Sequence, residues 1–162
     1  MIRVILLIGV QGSGKTWVFK QLIEKYQCTQ KKKIGKIRYH TNGELVIVGK
    51  YDNSMFEGSD KLSMSIMSDY QLFMEMNRNC LILLEGDRFT NSTVISHDDF
   101  VPYIVKITDD GTKGRALRGS NQSHEVIKRM QTRINNISSN VDVMDSTTAL
   151  HTISFLIDVF KP

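Results

Sequence analysis

The sequence predicts an α/β fold, a parallel sheet flanked by helices, formed as one domain over residues 1–162. An apolar run, IRVILLI at 2–8, is typical of a strand that is covered on both faces. Further β-rich runs alternate along the chain with segments of helical periodicity, which favours a parallel sheet. A chain of 162 residues is long enough to bury a single substantial core.

Periodicity and turn chemistry predict the elements of the first half. Apolar residues are spaced as in a helix from Lys15 to about Tyr26. Asn42-Gly43 lies between two β-rich runs, and this dipeptide predicts a β-hairpin insertion at about 34–49. From Lys61 to Asn77 the apolar residues recur every three or four positions, so we expect a second amphipathic helix there.

The second half continues the alternation of strands and helices. Strands are predicted at 80–86, 103–108 and 141–144. Helices are predicted from about residue 91, where the helix is short, and at about 122–137 and 147–160. The segment at about 109–121 is polar and contains glycine, and we expect it to form a connection outside the regular elements.

Composition and charge limit the partners. Hydrophobic residues make up 41% and charged residues 23% of the chain, as in globular proteins, and no apolar run approaches the roughly 20 residues of a membrane span. We therefore expect no membrane partner. The net charge of +4 is concentrated at 31–38 and between Lys106 and Arg133, which favours anionic ligands. Cys28 and Cys80 stand alone, which predicts neither a disulfide framework nor a zinc site and is typical of the cytoplasm.

The stretch GVQGSGKT at 9–16 matches the pattern GxxxxGK[ST] between a predicted strand and a predicted helix. In this pattern successive main-chain N–H groups and the positive end of the helix dipole surround the phosphates of a nucleotide. The lysine reaches the β- and γ-phosphates, and the last hydroxyl ligates Mg²⁺. The motif therefore predicts a P-loop NTPase that binds ATP and Mg²⁺. The predicted ATP-binding residues are Gly9, Gln11, Gly12, Ser13, Gly14, Lys15 and Thr16.

A second motif, EGDRF at 85–89, follows the apolar run CLILL. A carboxylate at the carboxyl end of a strand beside the phosphate loop can hold Mg²⁺, directly or through water, so Glu85 and Asp87 are candidate magnesium ligands together with Thr16. Asp87-Arg88-Phe89, with Ser92 downstream, resembles the DR[YF]xxS signature of thymidylate kinases. That resemblance implies that Arg88 faces the acceptor or the phosphate in transfer.

The segment at about 109–121 carries Arg115 and Arg118. In small phosphotransferases a flexible lid brings arginines over the donor and neutralises charge that develops on the phosphoryl group. We predict that these two arginines act in this way. Lys15 would supply a further positive charge, from the glycine loop. The lid is short and no NKxD-type guanine-reading segment is present, so the sequence favours a kinase of the nucleoside or nucleotide type over a switch GTPase.

The acceptor side is predicted in the segment at 49–63, which follows the hairpin and can reach the carboxyl edge of the sheet. A hydroxyl acceptor needs a carboxylate that orients it and accepts its proton. Asp52 and Asp60 are both candidates. As alternatives, Asp52 is a turn residue and Asp60 a helix N-cap.

Taken together, GxxGSGKT, a hairpin that ends in GKYD, the pattern F-x-G-x-D-x-L-S, EGDRF and an arginine-bearing lid resemble the 5-hydroxymethyluracil DNA kinases of bacterial viruses. The resemblance covers about residues 1–137. It implies that ATP phosphorylates the hydroxymethyl group of a modified thymine-like base in DNA, in the cytoplasm of the host cell. It also implies that Lys15 and Thr16 bind ATP and magnesium, and that Glu85, Asp87 and Arg88 lie at the reacting centre. The two arginines at 115 and 118 would belong to the lid, and the segment 51–60 would form the acceptor side.

A DNA substrate would give the basic residues of the hairpin region a role. We expect contacts with DNA phosphates from Lys31, Lys32, Lys33, Lys36 and Arg38. Two alternatives remain open from the residues alone. One is a thymidylate-like kinase that acts on a free nucleoside monophosphate. The other is an ATP-binding module without transfer activity.

Overall fold

The computed structural model describes residues 3–53, 57–59 and 62–161. The strands among these residues are β1 (Val4–Ile8), β2 (Gln30–Ile34), β3 (Ile37–Thr41), β4 (Leu45–Val48), β5 (Leu81–Glu85), β6 (Tyr103–Ile107) and β7 (Val141–Val143). The helices are α1 (Lys15–Lys25), α2 (Tyr70–Met76), α3 (Ser92–Ile95), α4 (Thr112–Arg118), α5 (His124–Asn135) and α6 (Ser146–Phe160). A 3-10 helix at Ile66–Asp69 precedes α2.

The seven strands form one sheet in the order β2-β3-β4-β5-β1-β6-β7. β4, β5, β1, β6 and β7 run parallel to one another, whereas β2 pairs with β3, and β3 with β4, in the antiparallel direction. The predicted α/β class with a mainly parallel sheet flanked by helices is confirmed. Because β1 lies between β5 and β6, the loop that follows β1 meets the carboxyl ends of two neighbouring strands at one edge of the sheet.

Alternation along the central strands divides the core into two layers. Leu6 faces a layer that contains Phe73 of α2 and Ile134 of α5. Ile5 faces the opposite layer, with Phe19 of α1 and Ile153 of α6. Covering both faces explains why the sequence of β1 is apolar throughout. No helix among the described residues is long and apolar enough to cross a membrane.

The predicted hairpin is present, but it belongs to a larger unit. Asn42 Oδ1 accepts hydrogen bonds from the main-chain N–H groups of Glu44 and Leu45, and Gly43 has a φ of 102°, as the tight turn requires. β4 also pairs with β5, so this region extends the main sheet. A third strand, β2, was not predicted. It pairs with β3 over five residues and carries the lysine run.

Two other segments differ from the predictions. The helix expected at 61–77 is reduced to the 3-10 helix and the short α2, although its apolar residues still face the core; Lys61 itself lies outside the described residues. The lid expected at 109–121 contains a helix, α4. Gly111 and Gly119, both in the left-handed region, bound this helix at its two ends.

Candidate active site

The glycine loop at 9–16 joins β1 to α1 and forms a concave turn. Gly12 and Gly14 have φ values of 87° and 97°, a region that favours glycine. Gly14 is the N-cap of α1 and has no side chain, so the first-turn N–H groups of the helix face the loop without a capping oxygen from that residue. The Lys15 Nζ donates to the main-chain oxygens of Gly9 and Val10 at 2.8 and 3.0 Å. A polyphosphate fits this combination of main-chain donors and one lysine.

Neighbouring helices hold the loop in place. A Cβ on Gly114 of α4 would lie 2.0 Å from the Gly12 oxygen, so the two main chains touch. A Cβ on Gly14 would lie 2.6 Å from the Cβ of Ser146, at the start of α6. The buried guanidinium of Arg115 donates to the main-chain oxygens of Gln11 and Asp110, each at 2.8 Å. Arg115 therefore supports the loop from behind.

Glu85 ends β5 directly beside β1, in register with Leu7. Its side chain is only 3% exposed. The Tyr51 hydroxyl and the Ser59 main-chain N–H both donate to Glu85 Oε1, at 3.3 Å. These donors fix the orientation of a buried carboxylate at the carboxyl edge of the sheet.

Gly58 brings Glu85 and Thr16 to the same place. A Cβ added to Gly58 would lie 2.5 Å from Glu85 Oε1 and 2.9 Å from Thr16 Oγ1. The Thr16 hydroxyl and the carboxylate thus lie close to the same point, and only a residue without a side chain fits beside them. Hydroxyl and carboxylate oxygens are hard ligands of the kind that Mg²⁺ prefers.

The loop, Glu85 and α5 enclose a cleft of about 330 Å³. It is lined by Gln11, Gly12, Gly14, Lys15, Thr16, Glu85, Gly86, Asp87, Arg118, Gln122, Val126 and Met130. Asp87 and Arg118 are exposed and line the cleft from two different elements. Asp87 follows β5, and Arg118 ends α4. The cleft therefore combines cations, two carboxylates and the loop main chain.

Arg88 does not line this cleft. It is half-buried, and its Nε is buried without a hydrogen-bond partner among the described residues. The next turn is tied to α5, because Arg133 donates to the main-chain oxygen of Thr90. Arg133 thus anchors α5 to the turn after β5.

The segment after β4 folds back on itself. Lys50 and Gly58 exchange two main-chain hydrogen bonds, at 3.1 and 2.8 Å, and Glu57 accepts from Lys20 of α1 at 2.8 Å. Asp52 pairs with Lys50 at 3.2 Å and lies outside the cleft. Asp60, the second candidate for orienting the acceptor, lies outside the described residues.

The five basic residues proposed for DNA do not share one face. Lys33 lies opposite Arg38 across β2 and β3, and Lys31 lies opposite His40. Lys32 lies opposite Tyr39, whose ring packs against Phe73 in the other layer. Lys36, in the turn between the strands, donates to the hydroxyl of Ser65 at 2.7 Å.

Two residues of the site were not assigned a role there from sequence. The role of Gly58 depends on how close Thr16 and Glu85 come to it, and its only signal is the glycine of F-x-G-x-D. Tyr51 belongs to the predicted acceptor segment at 49–63, and its hydroxyl contacts Glu85.

No protein-family model matches this chain, and no curated protein matches it. In the part of the chain that the structure describes, no three His, Cys, Asp or Glu side chains converge as a metal site would require. A magnesium ion bound together with a nucleotide needs only one or two protein ligands, since phosphate oxygens and water complete its coordination. The pair formed by Thr16 and Glu85 meets that smaller requirement.

Proposed function

We propose that this protein is a P-loop kinase that transfers the γ-phosphoryl group of ATP to a hydroxyl acceptor. One observation carries the proposal. The glycine loop, a lysine and a hydroxyl–carboxylate pair at Thr16 and Glu85 converge at the carboxyl edge of a parallel sheet, in one cleft.

Each residue of the cleft has a role in this proposal. The loop main chain and Lys15 bind the phosphates. Thr16 and Glu85, with Asp87 as a further carboxylate of the cleft, would hold Mg²⁺, which would supply positive charge to the phosphate oxygens. Arg118 stabilises the charge that develops as the γ-phosphorus separates from the oxygen of ADP. Arg115 acts indirectly, by holding the loop.

The acceptor in this proposal is the hydroxymethyl group of 5-hydroxymethyluracil in DNA. Its oxygen forms the new bond to phosphorus, the bond to the ADP oxygen breaks, and the hydroxyl proton passes to a carboxylate. Asp52 and Asp60 remain the candidates for that carboxylate. The motif order supports this acceptor, and so do the basic residues that follow α1.

The test uses ATP labelled on its γ-phosphate with Mg²⁺ and three acceptors: DNA with hydroxymethyluracil, the same DNA with thymine, and free thymidine monophosphate. We expect label only in the first. Label in the free monophosphate alone would replace the proposal with a thymidylate-like kinase. No label in any acceptor, from protein that binds ATP, would favour a binding module.

Lys15→Ala is the matched control. It removes the one mobile positive charge that the loop itself supplies, so we expect transfer to be lost while the protein stays folded. Full transfer by folded Lys15→Ala protein would contradict the kinase proposal.

A further inference from the structure

A second concave surface, of about 420 Å³, lies on β2 and β3 beside the place where Tyr51 packs against Phe19 of α1. We call it the basic groove. It is lined by Lys31, Lys32, Lys33, Arg38, Tyr39, His40, Gly49, Lys50, Tyr51 and Asp52. Asp52 is the one carboxylate among its described lining residues, and it is paired with Lys50. The groove therefore has an excess of positive charge.

The positive charges of the groove repel one another in the folded protein. Lys33 and Arg38 are directly opposite each other on antiparallel strands, and both are exposed. Like charges in this position destabilise strand pairing. An anion held between them would reduce that repulsion, which favours binding of an anion in the groove.

The positive charge of the groove does not come only from the exposed edge strand β2. Arg38 is on β3, inside the sheet, and Lys50 follows β4, so both lie away from the outermost strand. The lysines of β2 also divide between two faces. The charge of Lys31 contributes, after burial, to lowering the pKa of His40, whereas Lys32 acts on Cys80 in the other layer. Lys31 and Lys33 therefore share one face of β2, and Lys32 borders the groove from the other face.

Tyr51 separates the groove from the cleft. Its ring lies over the main chain of Gly49, where a Cβ would come within 2.7 Å of the ring, and its hydroxyl donates to Glu85 Oε1. One tyrosine side chain therefore spans the distance from the groove to the carboxylate of the candidate active site.

We propose that the basic groove holds the sugar-phosphate backbone of a single-stranded nucleic acid. Lys31 and Lys33 are two residues apart on a strand, about 6.6 Å, which is comparable with the distance between consecutive phosphates of one extended strand. Grooves that track a single strand combine such cations with sequence tolerance. Tyr51 and His40 are too buried to stack on bases, so the groove recognises the backbone rather than the sequence.

For the part that concerns catalysis, the inference rests on the proposed function. A strand in the groove would present one base across Tyr51 to the cleft. A base within a duplex cannot enter the cleft without leaving the stack, so the acceptor strand must be unpaired at that point.

Binding is tested without turnover. Fluorescence anisotropy with an end-labelled single-stranded thymine oligonucleotide, and with the matching duplex, gives Kd over a series of salt concentrations. We expect Lys31→Ser/Lys33→Ser to raise the single-strand Kd about ten-fold or more at low salt and to reduce the salt slope by about 1.4, or about 0.7 for each lost phosphate contact. Lys161→Ser, which removes the same charge at an exposed site that does not line the groove, should change Kd less than about two-fold.

The outcomes separate this inference from the kinase proposal. Equal effects of Lys161→Ser and Lys33→Ser would mean that net charge alone attracts the strand and would overturn the groove. Tighter binding of the duplex than of the single strand would overturn the single-strand assignment. Groove-dependent binding without label transfer would support the groove and contradict the kinase. Transfer to DNA with an unchanged KM for DNA in Lys31→Ser/Lys33→Ser would support the kinase and contradict the groove.

Discussion

Gly58 shows how much of the candidate site depends on a single residue that has no side chain. It lies between the Thr16 hydroxyl and Glu85, and two main-chain hydrogen bonds to Lys50 hold it there. A side chain at this position would collide with both of the proposed magnesium ligands. Because its φ is 89°, the position is also one in which other residues are strained.

Gly58→Ala should abolish the dependence of ATP affinity on Mg²⁺, because the new methyl group fills the space between the two ligands. Calorimetric titration with ATP, with and without Mg²⁺, measures this. Gly43→Ala is a matched control, since Gly43 has a φ of 102° and no atom within 4 Å of an added Cβ. A similar loss of Mg²⁺ dependence in both variants would show that backbone strain, not the filled space, is the cause.

Asp52 and Asp60 can be distinguished by their amide substitutions. The variant that removes the orienting carboxylate should lower kcat by about 100-fold or more and leave ATP binding intact. Steady-state transfer assays on Asp52→Asn and Asp60→Asn measure this. Small and equal effects would return both residues to turn and cap roles.

At the scale of elements, α4 supports the loop with one arginine and faces the cleft with another. Arg115 is buried against main-chain oxygens, while Arg118, one turn later, is exposed. The two residues belong to the same short helix and carry the same charge. They therefore make a matched pair for separating support of the loop from chemistry.

Arg115→Met should lower the free energy of unfolding by about 1–3 kcal/mol, because it leaves the Gln11 and Asp110 oxygens without their buried donor. Arg118→Met should change it by less than about 0.5 kcal/mol but lower kcat. Urea unfolding and transfer assays measure the two effects. A loss of kcat with unchanged stability in Arg115→Met would instead assign Arg115 to the chemistry.

The inner strand β3 makes stability depend on pH. Burial first, and then the charge of Lys31, lower the pKa of His40, whose ring packs against Tyr51. The folded chain thus favours neutral His40, and the unfolded chain binds more protons below about pH 6.5. Stability should therefore fall as the pH decreases from about 6.5. Urea titrations should show a weaker pH dependence for His40→Gln than for the wild type, whereas exposed His124→Gln serves as the control.

At the scale of the whole molecule, the two core layers share the central strands, so the cleft and the sheet should unfold together. A ligand that binds only the folded chain at 100 times its Kd adds about 2.7 kcal/mol of stability. For a chain of this size Mg²⁺ with ATP should raise Tm by about 5–10 °C. Thermal scans should show a much smaller shift for Lys15→Ala. An equal shift in that variant would place ATP elsewhere.

Local patterns predicted much of this molecule. β1, the glycine loop and α1 are contiguous in sequence, and the carboxylate after β5 follows from an apolar run and a turn. Long-range contacts supplied the rest. β2 could not be predicted because its lysines hide any apolar alternation, and the strand exists through its pairing with β3. Likewise, the contact of Tyr51 with Glu85 joins segments that are 34 residues apart.

The packing of α4 on the glycine loop has a thermodynamic consequence. Because Gly114 touches Gly12 and Arg115 already holds the Gln11 oxygen, the loop is ordered when the chain folds. A polyphosphate that binds there, as proposed, finds its main-chain donors preorganised and loses little chain entropy on binding. The heat capacity change of binding should then reflect the surface buried by the ligand alone, without the large negative contribution that accompanies coupled folding.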